Sequence, residues 1–148
     1  MTVTWEKYVW DSPRPAALHE VEALEKEWGI TFPDDYKSIV MRYQGMTPIP
    51  YVLDIGSRDN VICELLTVSV DEQRRSAAMS HVYQRIKHLV PAGIYPLAGT
   101  GTGDYVCFDY RASAIAPKVV FYFTDALGEE ALHPVASSFT DFLSKLHE

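Results

Sequence analysis

PLAGTGTGDYVCFDY, Pro96 to Tyr110, sets glycines at positions 99, 101 and 103 and follows them with an aspartate. A loop that cradles phosphate needs glycines that feed a helix N-terminus, where backbone N–H groups point at the anion. Here the glycines feed Tyr105–Tyr110, an apolar, aromatic run that reads as a strand. No Gly-Lys-Ser/Thr follows, and Asp104 would repel a phosphate. The stretch therefore reads as a strand, a tight connection built on positive-φ glycines, and an adjacent strand.

Working outward, KVVFYFTD (118–125) is a second strong strand, joined to the first by ASAIAP. HPVASSFTDFLSKL gives a last helix. Ser138 and Asp141 resemble a capping box, and Phe139, Phe142, Leu143 and Leu146 form its apolar stripe. Upstream, GIYPLAG is a short strand. DEQRRSAAMSHVYQRIKHL reads as a helix with Ala78, Val82 and Ile86 inward and Arg74, Arg75, Arg85 and Lys87 on its polar face. PIPYVLDIG and VICELLTVSV give two or three strands, with GSRDN as a turn.

Two amphipathic helices come before these strands. The first runs from about Pro15 to Trp28, with Ala17, Val21, Leu24 and Trp28 inward, Ser12 or Asp11 as cap, and Gly29 at its end. The second opens at TFPDDY, with Pro33 at the first helical position and Asp34 and Asp35 favouring the positive end of the dipole. Tyr36, Ile39, Val40 and Tyr43 form its stripe, and Gly45 closes it. Trp5, Tyr8, Val9 and Trp10 belong to a short strand or a helical turn. Strands cluster here rather than alternating with helices. The expected fold is α+β: a mainly antiparallel sheet of five or six strands flanked by an N-terminal helix pair, a middle helix and a C-terminal helix.

The 148 residues, 47% of them hydrophobic, suffice for one domain spanning 1–148. No apolar run is long enough to span a bilayer. MTVTWEKYVWDSPRP lacks the basic flank and apolar run of a signal peptide, so a cytoplasmic location is expected. Cys63 and Cys107 are too few for a disulfide framework and read as two small buried hydrophobes.

The net charge of −7 is uneven. Residues 1–72 hold 13 acids against 6 bases, residues 73–92 hold only the four bases, and residues 93–148 hold 7 acids against 3 bases. Such a chain is a poor ligand for nucleic acid, whose phosphates call for lysine and arginine. It suits a basic protein partner, although mild acidity also serves solubility.

No catalytic or metal motif stands out. His81 and His88 lie seven apart, about 10 Å along a helix, too far to share a metal. Gly-x-Ser-x-Gly and Cys-x-x-Cys are absent, and neither a metal nor a cofactor is expected. The carboxylates Asp104, Asp109 and Asp125, in or beside paired strands, are the best remaining chemistry for a hydrolase. Acids at strand ends nonetheless usually face solvent.

Four segments together resemble the SUKH superfamily, in the branch named after the yeast cell-wall assembly regulator. They are EALEKEWGITFPDDYKSIVMRYQG (22–45), IYPLAGTGTGDYVCFDYR (94–111), KVVFYFTD (118–125) and VASSFTDFLSKL (135–146). The resemblance implies an α+β fold without a recognised catalytic apparatus. Many bacterial members are immunity proteins that bind and neutralise a toxin, often a nuclease, while others are regulatory or scaffolding modules.

The expectation is therefore a non-enzymatic domain whose partner is a cognate toxin with a basic surface, with no nucleic acid and no membrane. Asp54, Asp59, Asp104, Asp125, Glu129 and Glu130 would steer that partner, and Tyr51 or Tyr105 would anchor it. Asp104 has a second reading, as a residue that merely shapes its turn. The alternative function is a regulatory or scaffold module that binds a non-toxin protein.

Overall fold

The computed structural model describes residues 2–9 and 13–148. The chain runs β1 (Thr4–Lys7), α1 (Leu18–Trp28), α2 (Asp34–Tyr43), β2 (Met46–Ile49), β3 (Val52–Ile55) and β4 (Arg58–Leu65). It continues through α3 (Met79–Ile86), β5 (Ile94–Thr100), β6 (Tyr105–Asp109), β7 (Lys118–Tyr122), β8 (Leu132–Ala136) and α4 (Phe139–Ser144). Short 3-10 turns occupy Glu72–Ala77 and Gly128–Ala131. β3 to β8 form one antiparallel sheet in chain order, and β1 pairs with β2 in a separate ribbon. The fold is α+β, as the clustered strands imply.

Strand alternation divides the core between the two faces of the sheet. Tyr95, Phe108 and Val119 stand side by side in register and join Val21, Phe32, Tyr36, Val40, Phe139 and Phe142 in the main core. The next residues over, Cys107 and Val120, point the other way, into a smaller cluster with Ile86, Val90, Ile94, Tyr122 and Ala131. Each fully buried phenylalanine contributes roughly 1.5–3 kcal/mol of transfer free energy. Tyr36 lies edge-on to both Phe108 and Phe139, so helix α2, the sheet and helix α4 meet at one ring.

The α1–α2 bend is fixed by its own motif. Gly29 ends α1 in the left-handed conformation at φ 69°. The Glu25 carboxylate then accepts from the Phe32 N–H at 2.7 Å and pairs with Lys37 at 3.1 Å. Trp28 stacks on Tyr95 with centroids 4.5 Å apart, and the Tyr110 hydroxyl donates to the Thr31 carbonyl. Asp35 reaches beyond its own helix, where its Oδ2 accepts from the Thr140 N–H and hydroxyl in the first turn of α4.

Several sequence expectations need correction. Residues 71–89 do not form one helix: the chain breaks at Ala77–Ala78, because Thr67 captures both flanks by donating to Ala77 and accepting from Met79. His88 consequently lies past the end of α3 and shares no helix face with His81. HPVASS is not helical either, since Leu132–Ala136 pairs with β7 before Ser138 caps α4. The turn in GSRDN is only Gly56-Ser57, and Arg58–Asn60 already belong to β4. Helix α1 starts at Leu18 rather than Pro15, with Glu20 accepting from the Ala17 N–H, and Pro33 is the cap of α2 rather than its first residue. Ser12, Asp11 and Trp10 lie outside the described residues. Thr4–Lys7 is a strand, not a helical turn.

Candidate protein-binding surface

The β3–β4 hairpin shows how the sequence aims its charges. Leu53 and Asn60 face each other and are buried, so their neighbours Asp54 and Asp59, also paired across the strands, both point outward with Val52 and Val61. The C-terminal segment crosses this edge. His147 and Val52 exchange both backbone hydrogen bonds, and His147 Nε2 lies 3.0 Å from Asp54 Oδ1. His147 holds the Asp54 carboxyl below its usual range, and Asp54 in turn raises His147.

Asp104 is turned inward. Its Oδ1 accepts from the Thr124 N–H and hydroxyl, both at 2.8 Å, and its Oδ2 accepts from the Thr102 hydroxyl at 3.0 Å. It is 6% exposed and shapes the connection between β5 and β6. Of the three glycines there, only Gly103 has a positive φ, 86°, so the expectation of three such residues reduces to one. Tyr105 is half-buried, and its hydroxyl accepts from Arg85.

Asp125, Glu129 and Glu130 are exposed beyond the end of β7. Glu129 is bound by Arg111, which also grips Asp109 at 2.8 Å. Asp125 lines an open depression of about 370 Å³ with Ser57, Arg58, Phe123 and His133. The Arg58 guanidinium lies 4.8 Å over the Phe123 ring, although Arg58 opens β4 and Phe123 follows β7. Three strand positions span about 14 Å in a flat sheet. The contact shows how far this end of the sheet coils. The sequence-selected acids thus fall into two groups, Asp54 with Asp59 and Asp125 with Glu129 and Glu130, while Asp104 joins neither.

A further feature escaped the sequence reading except for Tyr51. A groove of about 410 Å³ lies between the β1–β2 ribbon and β4, lined by Glu6, Lys7, Tyr8, Ile49, Tyr51, Val61 and Cys63. Glu6, Tyr8, Thr47 and Ile49 share one face of the ribbon by alternation, and the Thr47 hydroxyl ties the ribbon to the Cys63 carbonyl. Past Tyr51 and Ile49 it meets a second hollow of about 420 Å³, bordered by Thr4, Pro50 and Glu148. The signal in the sequence was Val61, an apolar residue on the outward face two positions after Asp59, with the buried Asn60 between them.

The carboxylate chemistry of a hydrolase does not assemble. Asp104 and Asp109 stand at opposite ends of β6, about 16 Å apart along a strand, and Asp125 lies in a depression that includes neither. Arg111 holds Asp109 below the usual carboxylate range. Among the described residues no group of three His, Cys, Asp or Glu side chains is placed to hold a metal. Both cysteines are free: Cys107 is fully buried, while Cys63, expected to be buried, is half-exposed on the groove wall. Among the described residues no helix is long and apolar enough to cross a membrane.

These features define a small α+β protein with an antiparallel sheet, helices packed on its main core and shallow depressions on its surface. The family model described as SMI1-KNR4 cell-wall (SUKH_6) matches residues 18–143, and the chain belongs to this branch of the SUKH superfamily. No curated protein matches the chain.

Proposed function

We propose that the chain is a non-enzymatic protein-binding domain, an immunity protein that neutralises a toxin by direct binding in the cytoplasm. The observation that carries this reading is the family match over residues 18–143, which spans both N-terminal helices, the six-stranded sheet and nearly all of α4. The charge supports it: a net −7 surface competes for the basic cleft with which a nuclease grips nucleic acid. Asp54, Asp59, Asp125 and Glu130 are the exposed carboxylates suited to steering. Glu129 is engaged by Arg111, and Asp104 is spent within its own turn.

The test is co-expression with the toxin encoded beside this chain's gene. Growth is restored, and the two proteins co-purify in a complex that weakens as salt is raised. Absence of a neighbouring toxin gene, or a toxin that kills equally with and without this chain, overturns the reading.

A further inference from the structure

We infer that the groove between the β1–β2 ribbon and β4 is the face on which the partner docks, and that the partner offers a basic protein surface with an apolar or aromatic side chain at its centre. This rests on the toxin-binding reading above and assigns it a location.

Two independent features coincide at this place. The first is apolar. Tyr8, Tyr51 and Val61 are 46%, 43% and 44% exposed, and all three line the same groove with Ile49 and Cys63. Single exposed apolar residues are ordinary, but several gathered in one concavity mark interaction sites. Aromatic residues surrounded by polar ones are also the usual composition of an interface centre.

The second feature is charge. Glu6 stands on the groove wall and Glu148 in the adjoining hollow. Asp54 and Asp59 share the outward face of the hairpin with Val52 and Val61, one alternation away. Against these acids, Lys7 lines the groove, Arg74 is engaged with Glu64, and His147 is engaged with Asp54. Among the described residues three other depressions have charged walls. The one lined by Glu20 and Glu27 is acidic too, but Arg14 binds Glu20 and Val70 is the one large exposed apolar residue in its lining. The other two carry bases. The hollow at Phe123 presents Arg58 and His133, and the one beside Asp109 presents Arg111 and Lys118. The apolar groove with an acidic surround selects a cationic partner and disfavours an acidic one.

The protein carries its own reporter. Cys63 lies on the groove wall, and the other cysteine, Cys107, is wholly buried with its thiol pKa pushed up by burial. Alkylation by iodoacetamide, read by peptide mass, therefore reports on the groove. The probe is the purified toxin domain encoded by the adjacent gene. Binding is expected to protect Cys63 at least fivefold. Y51A and V61K are expected to weaken affinity at least tenfold, whereas L127A, a truncation of a still more exposed apolar residue away from the groove, leaves it unchanged. Far-ultraviolet circular dichroism and melting of each variant establish that it is folded.

A toxin that binds while Cys63 stays fully reactive, with Y51A and V61K at wild-type affinity, overturns the groove as the docking face and leaves the toxin-binding reading standing. A toxin that does not bind the wild-type chain removes that reading, and the groove loses its occupant with it.

Discussion

Asp104 and Thr124 are joined through one carboxylate oxygen, which accepts both the backbone N–H and the hydroxyl of the threonine at 2.8 Å. Asp104 lies just before β6 and Thr124 just after β7, so the bond closes the end of this strand pair where no turn connects it. The glycine-rich connection therefore ends in an aspartate for a structural reason. The acid anchors the neighbouring strand's exit.

Removing that carboxylate leaves two donors on Thr124 and one on Thr102 without their partner. Asp104→Ala is expected to cost about 2–4 kcal/mol in urea unfolding. Asp104→Asn, which keeps one acceptor, is expected to cost about half as much. Wild-type stability in Asp104→Ala would show that water replaces the carboxylate at no cost.

Two of the three glycines separate cleanly. Gly103 has φ 86°, so Gly103→Ala places an L side chain in the left-handed region and is expected to cost about 1–2 kcal/mol. At Gly101 an added Cβ meets Cys63 Sγ at 3.8 Å and Val61 Cβ at 3.9 Å, ordinary contacts. Gly101→Ala should therefore be neutral or stabilising by up to about 1 kcal/mol. Parallel melting curves decide, and equal losses at both positions would contradict the assignment.

Gln44 is 1% exposed, and both ends of its amide are used. Its nitrogen donates to the Arg14 carbonyl at 3.0 Å and the Ser69 hydroxyl at 2.9 Å, and its oxygen accepts from the Val68 and Ser69 N–H groups. Gln44→Leu keeps the volume but leaves the buried Val68 and Ser69 N–H groups without this acceptor and removes the amide donor. A loss of about 2–3 kcal/mol is expected in chemical denaturation.

The latch between His147 and β3 is pH-dependent on both sides. Asp54 is depressed below its ordinary 3.8, chiefly by His147 and then by Asp59, so its contribution is present above pH 3.8 and lost as pH falls through the lowered value. His147 is raised above 6.5, chiefly by Asp54, so its contribution is full below pH 6.5 and lost as pH rises through the raised value. Amide-exchange protection of Val52 and His147 should be greatest between these limits. Asp54→Asn should flatten the alkaline decline; a profile unchanged by that substitution would exclude the ion pair as its cause.

Elements built from neighbours in sequence were readable directly. The stripes Val21–Leu24 and Phe139–Phe142–Leu146, the Gly29 stop, the Ser138 cap and the β6 and β7 strands follow from side-chain period and from local backbone chemistry. So did the α+β class and the SUKH resemblance, because the matching segments lie in order along the chain. Where a residue's partner lies far off, the reading failed. Ala78 looks like the middle of a helix until Thr67 pulls the chain out of it, and His133 and Ala136 look helical until β7 pairs with them. Asp104 reads either as a steering acid or as a residue that shapes its turn, and its bonds to Thr124 decide for the second. The groove combines residues 6–8, 47–51 and 61–63, each unremarkable alone; β1–β2 pairing and the packing of that ribbon on β4 bring them together. Periodicity acts over a few residues, whereas exposure and charge balance depend on every segment folded against them, and those long-range contacts carry no local signature.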